Sequence, residues 1–138
     1  MAGGPEPDGK YANIFYRVPD RAALDALLAD NEFNRAGLFV GAAPRVFDEF
    51  LEPLDVPPLD AGLQAMIVSG HVADRERART GLLELRKAGR VAFGGFFDDG
   101  SGLTVARVTD ADAAVRTIQD AGGWDAATLR GLPWSQTL

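Results

Sequence analysis

An α+β fold, with an antiparallel sheet carrying helices on one face, is predicted by three observations. Apolar stretches of strand and helix period follow one another as β-α-β and then β-α-β-β-α. The run Asp98-Asp99-Gly100-Ser101-Gly102 between two apolar stretches signals a tight hairpin, because glycine supplies the positive φ such a turn demands. Each helical stretch has a single apolar stripe, so each has one face to bury. Alternating units joined by true hairpins fit antiparallel pairing, and the arrangement is ferredoxin-like with extra elements.

The elements are justified in chain order. Residues 1–10 are mainly glycine, proline and acid and are expected to form a disordered tail. Tyr11–Val18 alternates, with Ile14, Tyr16 and Val18 on one face, and reads as a half-buried strand. Pro19 and Asp20 open a helix with Leu24, Leu27 and Leu28 on one side, ended by the Gly37–Gly41 region. Arg45–Leu51 reads as a second strand, closing a β-α-β unit over residues 11–58. Three prolines between residues 53 and 62 mark the best internal boundary. The main unit covers residues 63–138. Leu63–Val72 is the most apolar strand, with Ala65, Ile67, Ser69 and His71 opposite Met66, Val68, Gly70 and Val72. Asp74 caps a helix reaching Ala88, with Ala78, Leu82 and Leu85 inward, and Gly89 stops it. Val91–Phe97 and Leu103–Val108 flank the hairpin turn. Thr109 or Asp110 opens a helix with Ala114, Val115 and Ile118 on one side, and the last residues form a short strand or an arm.

Composition narrows the function. At 138 residues and 46% hydrophobic content the chain is one domain able to bury a normal core. Its net charge of −6 disfavours a nucleic-acid surface or an anionic membrane. It has no cysteine, which removes disulfides and a thiol nucleophile, and one histidine, which argues against a zinc site. No nucleotide loop, calcium loop, secretory signal or membrane-length apolar run occurs, so the expectation is a soluble cytoplasmic protein without cofactor or metal.

A gapless pairing of residues 22–38 with 113–129 sets Ala22 on Ala113, Ala23 on Ala114, Leu24 on Val115 and Leu27 on Ile118. It also sets Phe33 on Trp124, Ala36 on Ala127 and Leu38 on Leu129. This is the mark of an internal half repeat, against the alternative of two unrelated amphipathic helices.

The stretch D-R-A-A-L-D-A-L-L-A-D-N-E-F-N-R-A-G-L-F, followed by R-V-F-D-E-F, resembles the closing helix and strand of YciI-like proteins. These are dimeric α/β-barrel relatives of muconolactone isomerase. H-V-A-D-R-E-R-A-R-T-G-L-L-E-L-R-K-A-G-R-V-A-F-G-G-F-F-D-D-G-S-G resembles their opening. The resemblance implies a ferredoxin-like dimeric α/β-barrel and a homodimer, although the half repeat offers the same packing within one chain. The family's arginine matches Arg75. Its helix histidine falls on Ala78, its Asp-Pro-Phe aspartate on Asn31 or Gly122, and Phe96 replaces its proline, so its His–Asp pair is not inherited.

The candidates are therefore argued from this chain. His71 is the one side chain whose ordinary titration lies near neutrality, and Asp74 or another acidic residue is the candidate to orient it as a general acid/base. Tyr16 is suited to donate to a developing enolate oxygen. Arg75 is suited to hold a carboxylate through its planar fork. Phe93, Phe96 and Trp124 are candidates to wall a pocket for an apolar or aromatic small molecule. Each has an ordinary alternative as a core, cap or surface residue. The expected function is a cofactor-independent enzyme performing isomerisation, cyclisation or elimination by proton transfer. The alternative is a non-catalytic ligand-binding or accessory protein that keeps the fold.

Overall fold

The computed structural model describes residues 2–37, 41–51 and 64–134. Within them a five-stranded antiparallel sheet is built from β3 (Phe47–Glu49), β4 (Gln64–His71), β5 (Val91–Phe97), β6 (Ser101–Val108) and β7 (Arg130–Pro133). Their spatial order is β3-β5-β6-β4-β7. α3 (Arg75–Lys87) connects β4 to β5, and α4 (Ala111–Ala121) connects β6 to β7. The α+β class and the antiparallel sheet expected from the sequence are both present.

Local chemistry sets the two connecting helices. The Asp74 carboxylate accepts from the Arg77 N–H and the Asp110 carboxylate from the Ala113 N–H, each satisfying a donor that the first helical turn leaves open. Gly89 takes φ +71° and its N–H donates to the Arg86 carbonyl, while Arg90 N–H reaches the Leu85 carbonyl, closing α3. α3 buries Ala78 and Leu82, and α4 buries Ala114, Thr117 and Ile118. Thr117 takes the inward place expected of Val115, which is half-buried.

Both helices cover one face of the sheet. Their apolar stripes meet Met66 and Val68 of β4, Val91 and Phe96 of β5, and Ala106 and Val108 of β6. The opposite, far face carries Ala65, Ile67, Phe93, Phe97, Leu103 and Val105, all buried, with Trp134, Phe47 and Phe15 packed on them. A bulge between Val91 and Phe93 shifts the register of β5 against β6. It leaves both Ala92 and Phe93 in the far-face cluster.

The N-terminal part departs from expectation. Residues 2–5, assigned by composition to a disordered tail, form β1 (Ala2–Pro5), which pairs antiparallel with β2 (Ala12–Phe15) as a separate two-stranded sheet. The pairing is a backbone one, and Gly3 permits it: a Cβ there would lie 3.1 Å from the Ile14 side chain. The expected β-α-β unit is thus divided, since only its second strand, shortened to β3, joins the main sheet. α1 (Arg21–Asp30) has the expected cap, with Asp20 accepting from the Ala23 N–H, but buries none of its residues. A short α2 (Glu32–Arg35) follows it. The proline-rich boundary at 53–62 and the end of the chain from 135 lie outside the described residues, as do Leu38 of the repeat and the side chain of Phe33.

Candidate functional site

His71 ends β4 at the edge where the β5–β6 hairpin turns. Its backbone is held on both sides: the N–H donates to Thr128 Oγ1 at 2.8 Å, and the carbonyl accepts from the Asp125 N–H at 2.9 Å. The imidazole is exposed and lies beside Gly100, where a Cβ would sit 3.3 Å from Cε1. Gly100 has φ +83°, so the turn requires glycine for its backbone. Among the described residues no side-chain hydrogen bond to the imidazole is present.

Asp74 does not orient that ring. Its carboxylate is the cap of α3, and its own N–H donates to the Gly123 carbonyl. Arg75 is likewise occupied. Its Nη2 lies 2.6 Å from Asp48 Oδ2 on β3, and its guanidinium sits over the Phe96 ring at 4.9 Å. Tyr16, just beyond β2, is half-buried.

The three aromatic candidates separate. Phe93 points to the far face, with its ring 4.7 Å from that of Phe15 and 5.2 Å from Phe47. Phe96 points to the helix face, between Phe50 at 4.8 Å and Trp124 at 6.3 Å. Alternation along β5 forces this division, because an odd step along a strand crosses the sheet. Trp124 lies over Gly102, where a Cβ would come within 2.7 Å of the indole. Its Nε1 is buried without a hydrogen-bond partner.

The residues that do gather near His71 were missed by sequence reasoning. Ser101, the cross-strand partner of His71, donates its hydroxyl to Asp99 Oδ1 at 2.6 Å and accepts from Arg45 Nη2 at 2.8 Å. Arg45 also pairs with Asp99 Oδ2 at 2.6 Å and stacks over Phe97 at 3.7 Å. Hydrogen bonds from the Ser101 hydroxyl and N–H, aided by the Arg45 charge, hold the Asp99 carboxyl below the usual carboxylate range. The turn motif could have supplied Asp99 and Ser101. Arg45 arrives from 54 residues away and has no local signal. The serine hydroxyl is directed to Asp99, so Ser101, Asp99 and His71 do not form a nucleophile–base relay.

Two grooves lie along α3 and the end of α4, and His71 lines neither. Among the described residues no group of three or more histidine, aspartate and glutamate side chains is placed to hold a metal. No described helix is long and apolar enough to cross a membrane. Comparison with protein-family models, curated protein sequences and solved structures returns no match.

Proposed function

We infer that this chain is a non-catalytic ligand-binding protein built on a ferredoxin-like unit. The fold reading is supported by the β-α-β-β-α-β run from β4 to β7 and by the strand order β5-β6-β4-β7 within it. The functional reading is carried by one observation: Asp74 and Arg75, expected to work beside His71, are engaged in holding the fold. Asp74 caps a helix, Arg75 ties β3 to α3, and Phe93 and Phe96 pack on opposite faces of the sheet. No single pocket can take both aromatic walls. A carboxylate committed to a helix cap is a poor orienting partner for an imidazole.

The acid/base enzyme is the second reading, favoured by the exposed imidazole of His71. Incubation with enolisable ketones and unsaturated lactones in D2O separates the two. Wild type and His71→Gln are expected to give the same deuterium incorporation as buffer. Incorporation that depends on His71 contradicts the non-catalytic reading and restores the enzyme.

A further inference from the structure

The contact between α3 and α4 makes a cleft that the fold alone does not require. Gly81 lies in the middle of α3, where glycine costs about 1 kcal/mol relative to alanine. A Cβ at that position would meet the Ala121 carbonyl oxygen at 2.6 Å, so the glycine is what lets the end of α4 approach α3. Beyond this point a groove of about 630 Å³ runs past Leu85 and Ala88 to Arg90. A second, of about 440 Å³, shares Leu85, Arg90 and Ala121 with it. Both are open depressions, so a ligand lying in them keeps one side in water.

Two guanidinium groups mark the long groove. Arg90 Nη2 donates to Thr117 Oγ1 at 2.9 Å, and Thr117 is only 7% exposed, so a buried hydroxyl holds the guanidinium in place. Arg77 packs against Gly122, where a Cβ would lie 2.5 Å from Nε. Among the described residues neither arginine has a carboxylate partner. The carboxylates nearby are Glu76, Glu84 and Asp120, and Glu84 is already paired with Lys87 at 2.7 Å. An arginine pre-oriented by a neutral hydroxyl retains donors for an incoming anion. Leu85, Ala88 and Ala121 supply an apolar floor beside it.

We propose that the α3–α4 groove binds an amphipathic monoanion, with Arg90 holding its carboxylate and its hydrocarbon chain lying along Leu85, Ala88 and Ala121. The flanking Glu76 and Asp120 limit the ligand to one charged head. This rests on the ligand-binding reading above and names its site and ligand class.

Decanoate is the probe, titrated into the full chain and followed by amide chemical shifts. Saturable one-to-one binding is expected, with shifts at Leu85, Ala88, Arg90 and Ala121. Arg90→Gln is expected to weaken it about tenfold, the loss of one charge-assisted contact. Ala88→Phe, at an exposed position, is expected to block the floor while leaving the fold intact. Octyl glucoside, neutral with a similar chain, is expected not to compete. No saturable binding, equal affinity in Arg90→Gln, or shifts centred on His71 overturns the proposal. These outcomes are separable from the exchange experiment. Loss of the groove leaves the non-catalytic reading in place, and His71-dependent exchange overturns that reading whether or not decanoate binds.

Discussion

Single carboxylates do much of the local work in this chain, and two of them are held below the usual carboxylate range. The Ala113 N–H and the Thr109 hydroxyl hold the Asp110 carboxyl below the usual range, as Ser101 and Arg45 do for Asp99. A group whose folded value is depressed contributes stability that is present above the unfolded value and lost as pH falls through the folded one. Urea midpoints are therefore expected to be level above about pH 5 and to decline below about pH 4. Asp110→Asn and Asp99→Asn, each exposed, are expected to flatten that decline. An unchanged pH profile in the double variant counts against these two groups as its source. Asp74 is likewise a helix cap. Its position before an arginine-rich helix was legible as a cap, and the geometry makes it one.

At the scale of elements, the two halves of the repeat have different fates. Leu27 of α1 and Ile118 of α4 are paired in the gapless alignment, yet Leu27 is 38% exposed and Ile118 is fully buried. Ile118→Ala is expected to cost about 3 kcal/mol, from lost transfer energy and the cavity left behind. Leu27→Ala is expected to stay within about 0.5 kcal/mol, as at an ordinary surface position. Equal losses at the two sites, measured by chemical denaturation, contradict the difference in packing. Periodicity gave both helices their identity and their apolar stripes, because 3.6-residue spacing is a local property. It could not show what covers each stripe. β1 was illegible for a related reason: Ala2-Gly3-Gly4-Pro5 offers no alternating side chains, and its pairing with β2 runs through backbone groups. By contrast, the cap at Asp74, the turn at Gly100 and the face assignment along β4 were readable, and the cap of α4 was narrowed to Thr109 or Asp110, since each is fixed by residues adjacent in sequence. The site was less readable than the fold. The separation of Phe93 from Phe96 follows from strand alternation alone, whereas the Arg45–Asp99–Ser101 cluster needed the tertiary structure.

On the scale of the whole molecule, both faces of the main sheet are covered within one chain. α3 and α4 cover one; the other, which includes Phe47 of β3 and Trp134 just after β7, is overlain by Phe15, and Phe93 and Val105 there are 2% and 0% exposed. An edge strand adds to this closure. Asp48 of β3 reaches Arg75 on α3, while Glu49 reaches Arg17 beyond β2 at 2.6 Å, so β3 fastens a segment on each side of the sheet. Phe15 bridges the two-stranded sheet and the far face through ring contacts with Phe93, Phe47 and Trp134. Phe15→Ala is expected to cost about 2 kcal/mol, below the range for a fully buried phenylalanine because Phe15 is half-buried. It is also expected to raise the fluorescence of a dye that binds exposed apolar surface. No rise in dye binding contradicts a cover anchored by this ring. An uncovered aromatic sheet face of this kind calls for a partner, and a covered one does not. Sedimentation equilibrium of the full chain, joined to amide exchange along β5, tests this internal closure most directly. A single species of 14.7 kDa with protected Phe93 and Phe97 amides is the expected result. A stable dimer whose interface covers the Phe93–Phe97 side of the sheet contradicts it.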